Sequence, residues 1–232
     1  MTDLYDINTG IKALRQGDNN TAFQCFYNLC QSEQHHEAEK QIMDMFRTGL
    51  LTEPQISDLL GWLNREAERG EGFAAFNAAM VLEKGTKSVK PDLKAVVKLY
   101  EEAIFKEIPE AHLNLGLILI SGAGEQYGVP RDAGRGVELL AKACEMGSRD
   151  AAYTLGSLHL KGEQLAKDES KAFVYLALAA ILGHEKAKEA CGLLQTMTRR
   201  DFKEELAAAR KIEVQVHNYR SYFKALDAER RY

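Results

Sequence analysis

Apolar positions along this chain recur at alternating intervals of three and four, the period of helices that bury one stripe and expose the rest. The segment "AHLNLGLILISG", Ala111 to Gly122, predicts such a helix with Gly116 at its middle, where glycine costs about 1 kcal/mol relative to alanine. Forty residues later "AAYTLGSLHLKG", Ala151 to Gly162, places Gly156 at the matching position. A glycine repeated in register points to a packing requirement and to internal repetition. Taking Ala111 as anchor, Ala38, Ala74, Ala151 and Ala187 open similar segments, at successive spacings of 36, 37, 40 and 36. Four of the five segments close eleven residues on with Gly49, Gly85, Gly122 or Gly162, where a glycine supplies the left-handed residue that ends a helix. These are the A helices.

Between them run second helical patterns, the B helices. Asp92, Asp132 and Asp168 stand where their N-caps are wanted. The inward column of the B helices reads Ala22, Leu59, Val96, Gly136 and Ala172. One turn on it reads Cys25, Trp62, Leu99, Leu139 and Tyr175, and then Leu29, Glu66, Ala103, Ala143 and Ala179. Pro54, Pro91, Pro109 and Pro130 all fall in the predicted turns, where a missing N–H does least harm. The column of Gly116 and Gly156 continues as Ala79 and Gly192, a small residue wherever an A helix comes close to a neighbour, and Met43 interrupts it.

The segment "AHLNLGLILISGAGEQYGVPRDAGRGVELLAKACEMGSRDAAYTLGSLHLKG" resembles the Sel1-like repeat family, relatives of the tetratricopeptide repeat with a longer unit. The family pattern is matched by Ala111, Leu115, Gly116, Gly122, Val129 and Asp132. It is matched again by Ala151, Leu155, Gly156, Gly162 and Asp168, with Leu165 in place of valine, and more loosely by Ala74, Ala78, Ala79, Gly85, Val89 and Asp92. The match spans roughly residues 6 to 198, with the first two units degenerate. The resemblance implies an all-α fold, a right-handed α-solenoid of antiparallel helix pairs whose A helices line a concave face, acting as a non-catalytic adaptor for other proteins.

Composition narrows the partner. The net charge of −4, from 30 basic and 34 acidic residues over 232, leaves no basic footprint for nucleic acid or an anionic membrane. No uninterrupted apolar run approaches the ~18 residues a membrane span needs, and the N-terminus lacks the pattern of a signal peptide. A cytoplasmic protein is expected, unless an export signal was removed.

Four cysteines and six histidines raise the question of a metal or a nucleophile. In "CFYNLCQSEQHH", Cys25, Cys30, His35 and His36 are the candidates for zinc. The two cysteines are five apart on a helix, about 140° around the axis, and so cannot address one ion without unwinding it. The register places Cys25, Cys30, Cys144 and Cys191 in apolar columns, the ordinary fate of free cysteine. The glycine-rich "GAGEQYGVPRD" follows a helix and lacks a GK[ST] ending, so it reads as a helix-to-helix turn and not as a phosphate loop. No catalytic residue, cofactor or metal is expected. A hydrolase would have to use a groove residue such as His159, with no nucleophile in evidence beside it.

One pattern favours binding. Gln41, Asn77, Asn114 and Thr154 stand three residues after each A-helix alanine, a column of short polar side chains set off from the buried columns. On a concave face they are expected to be surface groups that pair with the backbone of a protein or peptide partner. Lys84 and Lys161, matched near the helix ends, are expected to steer acidic segments, and His159 to face the groove. A general adaptor and a dedicated regulator or neutraliser of one partner read alike in sequence.

Residues 199–232 follow the repeats. Thr198 and Asp201 in capping-box spacing, with Phe202, Leu206, Ala209 and Ile212 on one face, predict a capping helix. A second helix is predicted from Val216, Tyr219, Tyr222, Phe223 and Leu226. It either folds back onto the array or mates with another subunit as a homodimer. The fold-back is expected, since an exposed aromatic stripe is adhesive.

Overall fold

The computed structural model describes residues 6–32 and 36–229, the side chains of 220 and 222–229 excepted. Among the described residues every regular element is helical. The α-helices are α1 (Ile7–Arg15), α2 (Asn19–Ser32), α3 (His36–Arg47), α4 (Glu53–Glu68), α5 (Gly72–Lys84), α6 (Leu93–Phe105), α7 (Pro109–Ser121), α8 (Ala133–Glu145), α9 (Arg149–Lys161), α10 (Glu169–Ile181), α11 (Glu185–Thr198) and α12 (Lys203–Glu229). A 3₁₀ turn, Glu125–Tyr127, lies between α7 and α8. The odd-numbered helices from α3 to α11 are the A helices, and the even-numbered ones from α2 to α10 are the B helices. The chain divides into two compact units, Met1–Glu102 and Ala103–Tyr232, each with its own apolar core.

Helix ends follow the expected chemistry. The Asp132 and Asp168 carboxylates accept from the Arg135 and Lys171 amides at 2.9 Å, and Asp92 accepts from Lys94 and Ala95 at 3.1 Å. Gly49, Gly85, Gly122 and Gly162 all have positive φ, between 62° and 73°. A second set, not singled out in the sequence, closes the B helices: Gly70, Gly147 and Gly183, with φ of 90° to 91°. In the same column, thirty-seven residues after Gly70, stands Glu107 at φ 58°. Its N–H reaches the Ile104 carbonyl at 2.8 Å, and that of Ile108 reaches Ala103 at 3.1 Å, the hydrogen bonds that the glycine ends make. A non-glycine residue in this conformation costs roughly 1–2 kcal/mol, and the Glu107 side chain is exposed. Glu107→Gly is therefore expected to raise stability by about 1 kcal/mol, roughly 2–4 °C in melting temperature for a chain of this size. Unchanged or lower melting would show that the side chain returns more than the backbone gives up.

The B-helix columns need one correction. Ala22, Leu59, Val96 and Ala172 are fully buried, but the residues wholly enclosed one turn on are Phe26, Leu63, Tyr100, Leu140 and Leu176. These are the direct successors of the expected Cys25, Trp62, Leu99, Leu139 and Tyr175, of which the last three are only half-buried. A step of four residues lies about 40° from the starting direction and a step of three about 60°, so the residue after the expected one points closer to the centre.

The A-helix glycines pack as anticipated, and the close neighbour is the B helix of the same pair. A Cβ on Gly116 would stand 2.9 Å from the Gly136 carbonyl oxygen, and one on Gly136 would stand 2.7 Å from that of Gly116, so α7 and α8 cross backbone to backbone. A Cβ on Gly156 would lie 2.7 Å from Leu176 Cγ and 3.0 Å from its amide nitrogen. Gly192 departs from the pattern, since a Cβ there meets nothing within 4 Å.

The reason lies in α12, which does not pair with α11 as a B helix would. It packs along α10 and, more lightly, α8. Phe202 stacks on Phe173 with ring centroids 4.2 Å apart and planes 3° apart, and Phe202, Ala209 and Val216 are all buried. The predicted capping box does not form. Thr198 belongs to the last turn of α11, its hydroxyl donating to the Leu194 carbonyl at 2.7 Å, and Asp201 pairs with Lys203 at 2.8 Å. The two predicted helices are one continuous helix. Neither glycine nor proline interrupts residues 203–229, and Ala209, Ile212 and Val216 continue one face at steps of three and four. The side chains of Tyr222, Phe223 and Leu226 lie outside the described residues. Tyr219 is half-buried.

Candidate functional site

The polar column on the A helices divides by burial. Gln41, Asn114 and Thr154 are half-buried at the surface, and the Gln41 amide donates to Glu37 Oε1 at 2.9 Å. Asn77 is not a surface amide. It is 7% exposed, and its Nδ2 donates at 2.7 Å to Oε1 of Glu39 on the preceding A helix. The expected exposure fails because Glu39, at a position where later A helices carry Ala75, His112, Ala152 and Lys188, brings a carboxylate into the interior that must find a donor. The pair joins α3 to α5.

Lys84 is also engaged. Its Nζ lies 3.2 Å from the Phe46 carbonyl and 3.5 Å from that of Arg47, and 4.6 Å from the centre of the Phe46 ring. A cation there satisfies the orphan carbonyls at the end of α3 and complements its dipole, so it serves helix packing before any partner. Lys161 remains exposed. His159 is 8% exposed and does not open onto the surface. Its ring lies parallel to that of Tyr175, and Nδ1 stands 3.4 Å from the Ala166 carbonyl. It fills the wall position held elsewhere by Phe46 and Leu119, both buried.

Among the described residues no group of three or more His, Cys, Asp or Glu is placed to hold a metal ion. Cys25, Cys30 and Cys144 are buried. Burial pushes the thiols of Cys30 and Cys144 up to about 12 and that of Cys191 to about 11, far from the thiolate that a nucleophile or metal ligand requires. His35 lies outside the described residues.

The sequence reading missed a cleft in the first unit. His36 and Glu39 of α3, Trp62 and Glu66 of α4, and Glu71, Phe73 and Ala74 around the start of α5 line it. Glu39 and Glu66 are only 9% and 6% exposed. Glu66 is paired with Arg69 at 2.7 Å. Burial above all pushes the Glu39 carboxyl above the ordinary range; the Asn77 amide and His36 act against that rise, and the charges of Glu71 and Glu66 add to it.

Two predictions follow from this arrangement. Asn77→Ala strips a donor from a buried carboxylate, a loss of about 1.5–3 kcal/mol, and a thermal melt close to wild type would place the pair outside the core. A raised Glu39 pKa means its contribution to stability is complete below the unfolded value of 4.5 and is lost as pH rises through the folded value. Glu39→Gln, which keeps an acceptor for Asn77, is accordingly expected to gain in melting temperature on wild type between pH 4 and pH 7, whereas a constant difference would contradict the shift.

Helix pairs stacked in register around repeated glycine contacts define an α-solenoid of the tetratricopeptide-like class. Within it the chain carries three Sel1 repeats, the Sel1 repeat model matching residues 72–104, 109–148 and 149–184. The fold is shared with a Sel1 repeat protein from Oxalobacter formigenes, at 19% identity over 92% of this chain and 84% of that one, with a TM-score of 0.62. A more distant match is c5321, a protective antigen of uropathogenic Escherichia coli strains with an SLR fold, at 17% identity over 90% of this chain and 55% of that one, with a TM-score of 0.36. No curated protein matches the chain in sequence. Sel1 repeats are in general scaffolds for protein–protein interaction and are typically non-catalytic. No helix among the described residues is long and apolar enough to cross a membrane.

Proposed function

We propose that this protein is a non-catalytic adaptor that holds a protein or an extended peptide on the face formed by its A helices. The observation that carries the reading is the placement of α12. It lies against the B helices α8 and α10, while Asn114, Thr154 and Lys161 on α7 and α9 keep solvent access. Half-buried amides and hydroxyls on such a face can pair with a partner's backbone with little dependence on its sequence, and Lys161 adds attraction for acidic segments. Gln41 carries the same chemistry in the first unit, whereas Asn77, Lys84 and His159 act as supports from within.

The test is affinity capture from the source cell, comparing the wild type with a Thr154→Arg, Lys161→Glu double variant. Neither change touches a buried side chain, so the melting temperature should hold while captured partners are lost. Identical capture by both proteins would move the binding surface elsewhere. The reading also fails if the captured protein is chemically altered by the wild type.

A further inference from the structure

We infer that Leu193 and Met197 of α11 form the apolar anchor of the binding face, a seat for a large apolar side chain of the partner polypeptide whose flanking carboxylates meet Lys161 and Arg199. The inference rests on the adaptor reading and names the chemistry of the segment that is bound.

The repeat register shows which side of each A helix meets solvent. From Ala111 to Ser121 the exposed residues are Leu117 and Ser121, and from Ala151 to Lys161 the exposed residue is Lys161. They stand six and ten places after the anchoring alanine, on the stripe that begins with Asn114 and Thr154. In α11 the same stripe, counted from Ala187, holds Ala190, Leu193 and Met197. Leu193 is 64% exposed and Met197 82%, and Leu117 repeats the exposure at 37%. Side chains at i and i+4 lie next to each other on a helix, so α11 presents an apolar patch on the face that α7 and α9 open to solvent.

The fold does not require that patch. At the matching places α9 carries Ser157 and Lys161, so polar residues satisfy the repeat there. Nor does the patch follow from the course of α12, because the side of α11 that α12 leaves uncovered has become polar. The positions facing the paired B helix hold Ile120 in α7, whose Cγ1 would meet a Cβ on Gly136 at 2.6 Å, and His159 in α9, stacked with Tyr175. In α11 they hold Thr196 and Gln195, both exposed. Lys188 likewise stands exposed where α7 and α9 bury His112 and Ala152. The last A helix is thus adapted to water on its uncovered side, while its solvent-facing stripe is more apolar than that of α9. A single exposed apolar residue is ordinary, but two neighbours on a helix otherwise adapted to water mark a contact.

Charge says which contact. Lys161 has on α9 the place that Met197 has on α11, and Arg199 follows Met197 by two residues. Both cations are exposed, and neither makes an ion pair among the described residues. An apolar side chain seated on Leu193 and Met197, the latter able to adapt its shape, is therefore best flanked by Asp or Glu.

The test uses the intact protein and a phage-displayed library of random dodecapeptides. Enriched sequences are expected to share a large apolar residue next to Asp or Glu. The most enriched one, made as a dye-labelled peptide, is titrated by fluorescence anisotropy against wild type and a Leu193→Ser, Met197→Ser double variant. The variant is expected to bind more weakly by roughly tenfold or more at an unchanged melting temperature. Replacing the peptide's acidic residues by their amides should weaken binding several-fold. The inference is overturned if nothing is enriched over a selection without protein, if the enriched sequences lack the apolar and acidic pairing, or if the double variant binds like wild type. It is also overturned if sedimentation shows self-association that the double variant abolishes, since a second copy would then be the occupant. Partner capture that survives Leu193→Ser, Met197→Ser but is lost with Thr154→Arg, Lys161→Glu removes the anchor and leaves the adaptor reading. The reverse pattern keeps the anchor and takes the adaptor surface off α9.

Discussion

Gly116→Leu is expected to lower the melting temperature by many degrees, or to prevent folding of the second unit altogether. The chain at Gly116 has no room for any side chain: a Cβ would already stand 2.9 Å from the carbonyl oxygen of Gly136 and 3.1 Å from Leu140 Cγ. The first of these obstacles is backbone and cannot swing aside, so α7 and α8 would have to separate. Overpacking a tight core costs roughly 1–3 kcal/mol. A forced backbone separation belongs at or above the top of that range, which is about 10 °C for a chain of this size. The same column supplies its own control. At Gly192 a Cβ meets open space within an exposed stretch of α11, so Gly192→Ala should stabilise by up to about 1 kcal/mol through helix propensity alone. Thermal melts of the two variants are expected to move in opposite directions. A harmless leucine at 116 would mean that the glycines are not there for packing.

Removal of residues 199–232 carries the second large effect. Without α12, Phe173 loses the stacked ring of Phe202, and the surface of α10 covered by Ala209 and its neighbours is opened to water. Even the single change Phe202→Ala, at a side chain 1% exposed, should cost about 3–5 kcal/mol. The full deletion should cost more and render the protein prone to association, because it uncovers apolar surface on α10 that is adhesive once exposed. Sedimentation and melting of the truncated chain decide the matter: a soluble, monomeric and equally stable product would show that the contact of α12 with α10 adds nothing to stability.

Much of this architecture was legible in the sequence because repetition allows each residue to be read against its counterparts. The alanine anchors, the Asp N-caps, the closing glycines and the Gly116 and Gly156 contacts are local chemistry written several times over. What was not legible arose where one copy departs from the others. Gly192 keeps the register but lacks a partner helix, and only tertiary packing shows that α12 runs onto α10 instead. Dividing that helix in two ignored the absence of any breaker between Ile212 and Val216. At the candidate site, Asn77 and Lys84 share a register with surface positions, yet they are engaged by Glu39 and the Phe46 carbonyl, partners on another helix that helical periodicity cannot reveal. Glu66 could have been found, since it stands against Ala103, Ala143 and Ala179 in its column, whereas Glu39 shares a column with His112 and Lys188 as well as Ala75 and Ala152 and is not marked as an exception.

The adaptor reading is tested most directly by hydrogen–deuterium exchange on the protein with and without its captured partner. The account predicts slowed exchange in the A helices α7 and α9, around Asn114, Thr154 and Lys161, with α8, α10 and α12 unchanged. Protection confined to the B helices or to α12, with the A helices unaffected, would contradict it.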